Sequence, residues 1–287
     1  MSKLSVIIPS RNERFLPQTV ADLLAKSRGE IEVIAVLDGY WPDPPLPEHP
    51  NLILLHQETA RGMRAAINAA AGVATGKYLL KCDAHCLFAE GFDETLKVDC
   101  DDDWVVIPRR YSLDAENWAT FPKTPIDYEY LRYPYYKDGE VGIHGTIWPE
   151  RARTRAEVLV DENMAFQGSC WFMPKRYFDW MGGMSEVGYG TFIGEPQEIG
   201  NKAWLSGGKI MTNKKTWYAH LHKGKTYGRG YSINKSELVR GNVYSVDFWI
   251  NNRWEKRKYD YAWLVEHFWP VPSYPPDWYE VLYGARQ

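Results

Sequence analysis

Leu4-Ser5-Val6-Ile7-Ile8-Pro9 is an apolar run closed by a proline, the pattern of a strand buried on both faces of a parallel sheet. Ser10-Arg11-Asn12-Glu13 follows as a polar loop. Leu16, Val20, Leu23 and Leu24 then recur at helical spacing until Gly29 ends the pattern, ahead of a second apolar run from Ile31 to Leu37. This is a β-α-β unit. Asp38-Gly39 closes its second strand, and a Pro-rich stretch from Pro42 to Pro50 leads to a third strand at Leu52 to Leu55. Met63, Ala66, Ile67 and Ala70 mark a further helix ending near Gly76. The alternation predicts an α/β fold with a mostly parallel sheet flanked by helices and a ligand site at the strands' carboxyl ends.

Next comes Lys77-Tyr78-Leu79-Leu80-Lys81-Cys82-Asp83-Ala84-His85-Cys86, in which a β-type stretch runs into an Asp-x-His pair. Residues two apart in a strand point the same way, so Asp83 and His85 can reach one divalent cation, of the kind that neutralises a diphosphate. A turn followed by a helix cap is the bland alternative. Zinc held by Cys82, His85 and Cys86 is disfavoured: no second Cys/His cluster lies nearby, and Cys82 falls on the strand face opposite Asp83.

The residues from Ser5 to Glu13, the strand ending in Asp38, Gly62 followed by Asn68, and Gly76 to Asp83 resemble the nucleotide-sugar domain of family 2-type glycosyltransferases, with the Rossmann-like GT-A fold. Asp83-Ala84-His85-Cys86 looks most like the polypeptide N-acetylgalactosaminyltransferases. Phe166-Gln167-Gly168-Ser169-Cys170-Trp171-Phe172-Met173, Gly194-Glu195-Pro196-Gln197-Glu198-Ile199 and Ala219-His220-Leu221-His222-Lys223 follow in the order of that branch. The resemblance implies that Pro9, Arg11, Asn12 and Glu13 border the nucleotide base, with Asp38 toward base or ribose and Gly62 in the donor-binding set. It implies Asp83 and His85 as metal ligands and His220 as the third, with His222 as its rival. Mn2+ or Mg2+ is the implied cofactor and a UDP-sugar, carrying a hexose or N-acetylhexosamine, the implied donor. Transfer to a hydroxyl acceptor with retention of configuration is likewise what the resemblance implies.

Breaking an anomeric bond to a diphosphate builds negative charge on phosphate, which a cation and basic groups stabilise. Lys223, Lys225, Tyr227 and Arg229 are candidates, in a Gly-rich run (Gly224, Gly228, Gly230) with the look of a lid. Glu195 and Glu198, at i and i+3, are expected on one helical face; the resemblance implies that this acidic region lies beneath sugar and acceptor, with Glu195 the carboxylate chosen as functional and able to serve as a base. Pro196 replaces the Asn that usually follows this Glu in the branch.

Composition sets the limits. With 287 residues, 45% hydrophobic and 25% charged, the chain has the make-up of an ordinary globular protein. Aromatics reach 15%, including 13 Trp and 19 Tyr; most belong in the core, some against sugar rings. No apolar run approaches ~20 residues, so no membrane insertion is expected. With no leader read before Leu4 and four cysteines lacking framework spacing, the expectation is a cytoplasmic protein, bacterial or phage-encoded. The organisation expected is a nucleotide-sugar half over 1–110, an acceptor-side half over 111–250 and a C-terminal extension over 251–287. Ser112 to Ala165, loose in pattern and crowded with tyrosines, reads as an acceptor-side insertion. The acceptor is open between protein, glycan and hydroxymethylated DNA, the last made conceivable by basic residues from Lys209 to Lys258 behind a net charge of −3, although these read more simply as donor-phosphate contacts and solvated charges. A nucleotide-sugar-binding protein without activity is the remaining alternative; oligomeric state is not assigned.

Overall fold

A computed structural model describes residues 2–136 and 139–284. The chain runs β1 (Leu4–Ser10), α1 (Leu16–Lys26), β2 (Ile31–Asp38), β3 (Leu52–Gln57), α2 (Met63–Val73), β4 (Tyr78–Cys82), β5 (Cys86–Phe88), α3 (Phe92–Val98) and β6 (Trp104–Asp114). There follow β7 (Ala119–Thr120), β8 (Glu129–Leu131), β9 (Gly145–Ile147), α4 (Pro149–Thr154), β10 (Val160–Glu162), β11 (Cys170–Pro174), α5 (Lys175–Trp180), α6 (Glu195–Ser206) and β12 (Lys209–His220). Helices α7 (Gly224–Tyr227), α8 (Lys235–Ile250), α9 (Tyr261–His267) and α10 (Trp278–Tyr283) end the order.

Among the described residues, one sheet has the order β10-β12-β6-β11-β4-β1-β2-β3, with β5 paired to β12 and β7 to β6. β1, β2, β3 and β4 are mutually parallel, while β11 lies antiparallel between β4 and β6. The N-terminal strands are buried on both sides because their side chains alternate between two cores. Ile7, Ile34 and Val36 pack with Ala66, Ile67 and Ala70 of α2, whereas Val6, Ile8, Val33 and Leu37 pack with Leu16, Val20 and Leu23 of α1.

β1 leads to a helix on one face and β4 is reached on the other side of β1, so the strand order reverses there and opens a crevice at the carboxyl ends of β1, β2 and β4. This mixed, mostly parallel sheet flanked by helices matches the α/β expectation.

One expectation changes. The stretch from Ser112 to Ala165 is not featureless: β6 runs on to Asp114, and β7, the β8–β9 pair, α4 and β10 are built from two- to six-residue elements too short to show periodicity. Tyr128 there is wholly buried and donates to Asp161 Oδ2 at 2.8 Å, so it is core and not acceptor surface. The segment after 250 packs onto the body: Tyr261, Leu264, Val265, Phe268, Val271 and Trp278 join the same core as Ile7 and Trp171.

Candidate functional site

The crevice is a cleft of about 1260 Å³, larger than the ~300–1,000 Å³ of ordinary small-ligand pockets. Its floor is set by strand register. β4 stops at Cys82, and Asp83-Ala84-His85 crosses to β5, where Cys86 pairs with His220 of β12. His220 thereby arrives beside His85 although 135 positions separate them. Asp83 and His85 do converge, but from a turn beyond the strand end; the pleat invoked from sequence is not what aims them.

The three side chains form one cluster. His220 Nε2 lies 3.1 Å from His85 Nε2 and 3.3 Å from Asp83 Oδ2, and His85 Nε2 lies 3.8 Å from the same oxygen. Ligands about 2.1 Å from a common cation sit roughly 3.0–3.4 Å apart, so two edges fit directly and the third needs a small rotation. Burial, with His85 and His222 nearby, pulls His220 down to about 3 despite the bond to Asp83. Burial thus favours the neutral imidazole, the form in which histidine ligates a cation. The two ring nitrogens face each other at 3.1 Å, within the spacing of two ligands on one cation. Burial raises the Asp83 carboxyl, but the Lys81 ammonium and the bond from His220 outweigh it, holding it well below the ordinary carboxylate range.

Behind His85, Glu13 Oε2 lies 3.1 Å from Nδ1 and also bonds Lys223 Nζ. A carboxylate on Nδ1 directs the Nε2 lone pair to the cluster, the arrangement that orients metal-binding histidines. Burial works against the charged form of Glu13, yet the bonds and charges of His85 and Lys223 keep its carboxyl below its usual range. Glu13, expected at the nucleotide base, lines the cleft and stands behind His85.

Of the other expected residues, Pro9, Arg11, Asp38, Gly62, Glu195, Lys223 and Arg229 line the cleft. Asp38 accepts from the amides of Arg61 at 2.6 Å and Gly62 at 3.0 Å, so both its oxygens hold the start of α2. Arg11 stands over the Tyr231 ring at 4.9 Å and Arg229 over Phe192 at 4.9 Å. Asn12 and Tyr227 lie outside this cleft, lining a hollow of about 110 Å³ next to it. Asn12 donates to the Gly230 carbonyl at 2.9 Å, and Tyr227 packs edge-on against Phe15. His222, the rival third ligand, is not in the cluster.

The two glutamates part company. Glu195 is 2% exposed and lines the cleft, with Oε1 bonded to Trp171 Nε1 at 2.7 Å and Oε2 to Lys81 Nζ at 3.0 Å. Burial, aided by Asp83 and opposed by Lys81, raises its carboxyl. Glu198 does not line the cleft. It is bound by Arg64, by Lys202 at 2.6 Å and by the Ser185 amide at 2.9 Å. One helical turn carries it behind Glu195 into a structural ion cluster, so the shared catalytic face expected from i, i+3 spacing is not formed.

Lys81 and Arg64 were missed by the sequence reading. The available signal was a lysine inside the apolar strand Tyr78–Cys82 and an arginine among the alanines of α2. Part of the basic run of the C-terminal third is paired with carboxylates: Lys209 with Glu162, Lys215 with Asp99, Lys223 with Glu13 and Arg253 with Asp247. No helix among the described residues is long and apolar enough to cross a membrane.

The sequence model described as Glycosyl transferase family 2 matches residues 5–179. Polypeptide N-acetylgalactosaminyltransferase 12 of Mus musculus is 26% identical over 275 residues, covering 88% of this chain and 44% of the mouse protein. Polypeptide N-acetylgalactosaminyltransferase 5 of Caenorhabditis elegans is 24% identical over 277 residues, covering 88% and 42%. The chain thus spans less than half the length of these relatives. Among solved structures, GalNAc-T7 with UDP, GalNAc and Mn2+ superposes with a TM-score of 0.67 at 20% identity, over 88% of this chain and 50% of that one. S. aureus TarS 1-349 in complex with UDP-GlcNAc gives 0.52 at 16% identity, over 82% and 63%. These likenesses establish the GT-A fold.

Proposed function

The chain belongs to glycosyl transferase family 2, and from that premise we propose that it moves a sugar from a UDP-sugar to an acceptor hydroxyl with a divalent cation held by Asp83, His85 and His220. The observation that carries the proposal is the placing of this one-carboxylate, two-imidazole cluster at the carboxyl ends of the sheet, inside the cleft. Manganese is the metal of choice, because two imidazoles suit a transition metal better than magnesium, which prefers oxygen ligands. When bound, the cation supplies neutralising charge to the leaving diphosphate.

The chain's own groups divide the remaining work. Arg11, Lys223 and Arg229 line the cleft as cations for the phosphates. Glu195, buried against Gly168 in the cleft wall, is the carboxylate we assign to the sugar subsite. The donor sugar is an N-acetylhexosamine and the acceptor a protein hydroxyl, in keeping with the names of the animal relatives and the GalNAc held by the GalNAc-T7 structure. Retention of configuration belongs to the same reading.

The test needs no acceptor: UDP release from UDP-N-acetylhexosamines and UDP-hexoses, with and without Mn2+. Metal-dependent hydrolysis that disappears in Asp83→Ala is expected. Full activity in Asp83→Ala refutes the metal assignment, and tight UDP binding without turnover on any peptide library leaves a binding protein.

A further inference from the structure

Lys81 lies in the middle of β4 and is 0% exposed. A wholly buried ammonium costs several kcal/mol to desolvate unless its protons are all satisfied. Here they are. Nζ donates to Asp83 Oδ1 at 2.8 Å, to Glu195 Oε2 at 3.0 Å and to the Gly168 carbonyl. Its cross-strand partner on β11 is Trp171, which takes the other oxygen of Glu195. Stability alone gives little reason for such a group, since replacing a buried ion pair with apolar residues of similar volume is often neutral or stabilising.

What the lysine does is divide the oxygens of Asp83. Oδ1 is occupied by Nζ, and Oδ2 is the oxygen that faces His220 and His85. The ammonium is itself immobile, because a carbonyl and a second carboxylate hold its other two protons. Asp83 stands after the strand end and is partly open to the cleft, so without this anchor its carboxylate is free to rotate.

We propose that Lys81 is a positioning residue of the metal centre, fixing Asp83 so that a single oxygen is presented to the cation, and tying that ligand to Glu195 on the sugar side. This rests on the metal reading above. It adds a residue that acts on the cation through another side chain and touches neither cation nor donor.

The experiment is Mn2+ binding, followed by calorimetry and by the spin resonance signal of free Mn2+, with no donor present. Four proteins are compared: wild type, Lys81→Met, Glu195→Gln and the double variant Lys81→Met/Glu195→Gln. The double variant is decisive, because it removes both buried charges and leaves no unpaired glutamate to destabilise the fold. Loss of a group that orients a metal ligand typically weakens metal binding by about 10–100-fold. That loss is expected in Lys81→Met and in the double variant alike, with Glu195→Gln near wild type. If Lys81 serves only to neutralise Glu195, the double variant regains wild-type affinity and the proposal fails. Tighter binding in the double variant also overturns it, showing that the lysine acts merely as a like charge. A wild-type protein that binds no Mn2+ brings down the metal reading itself, an outcome distinct from metal binding that ignores Lys81.

Discussion

Replacing Arg64 with methionine should destabilise the protein by about 3–5 kcal/mol and loosen one wall of the cleft. Arg64 is 1% exposed. Its guanidinium donates to the Ser185 carbonyl at 2.9 Å and to the Ile193 carbonyl at 2.7 and 3.1 Å, pairs with Glu198, and stands 4.0 Å from the centre of the Tyr189 ring. One side chain thus ties both ends of the loop that brings Thr191, Phe192 and Ile193 to the cleft. Two orphaned carbonyls cost about 1–3 kcal/mol each, and a desolvated cation–π contact about 2 kcal/mol. These losses overlap, since all describe one removed group, so the sum is capped near the value for breaking a buried pair. Glu198 keeps Lys202 and the Ser185 amide, so its charge is not abandoned. Adding Glu198→Gln to Arg64→Met should therefore restore less than half of the loss. Guanidinium unfolding gives the stabilities, and the KM for donor hydrolysis, expected to rise more than kcat falls, reports the loop. An Arg64→Met protein within about 1 kcal/mol of wild type, or one fully rescued by Glu198→Gln, refutes the loop-anchor reasoning.

Glu32 accepts from Ser5 at 2.6 Å, Lys3 at 2.7 Å and the Thr75 amide at 2.7 Å. Burial opposes its ionisation, but these bonds draw its carboxyl from 4.5 to about 2. A lowered folded-state value stabilises above the unfolded one, so about 3 kcal/mol before solvent screening, and about 2 kcal/mol after it, is present above the unfolded value and is lost as pH falls toward the folded one. Acid unfolding of Glu32→Gln should lack that part of the slope. Gly62 has φ +93, and a Cβ there would meet the Thr191 carbonyl oxygen at 2.8 Å. Gly62→Ala should cost about 2–4 kcal/mol in thermal unfolding and raise the donor KM, because backbone strain and a displaced Thr191 act together. Glu13→Gln removes the carboxylate on His85 Nδ1 and should weaken Mn2+ binding by about 10–100-fold while the melting midpoint changes little.

The core was legible where burial is two-sided. Leu4–Ser10 and Ile31–Asp38 show their place in the sheet because both faces demand apolar residues, and helices α1 and α2 declare themselves by spacing. The metal pair was legible as a motif, yet for an incomplete reason: convergence depends on where β4 stops and on the pairing of Cys86 with His220, neither of which local sequence encodes. Glu195 and Glu198 show the opposite limit. Their spacing is correct for a shared helical face, but Gly194, at φ +73, starts the helix just before Glu195. The first residue can then turn to Lys81 while the fourth faces Arg64. Between 112 and 165 the strands that follow β6 are two to three residues long, below the length at which alternation has meaning.

Charge burial is the feature that joins scaffold to site. Lys81, Glu195, Arg64 and Glu198 are all nearly inaccessible, and the start of α6 supplies one member to each pair. On one side Glu195 is coupled through Lys81 to the metal-facing Asp83; on the other Glu198 is coupled through Arg64 to the loop that lines the cleft. Because the two pairs share a single helical turn, a shift of α6 disturbs ligand geometry and cleft wall together. A transferase of the kind proposed needs that stiffness, since a carboxylate displaced by an ångström no longer meets the group it must hold. The helix start is therefore the place where a substitution chosen for stability should most readily alter donor choice, and a scan of residues 194–198 for both properties should find them changing in step.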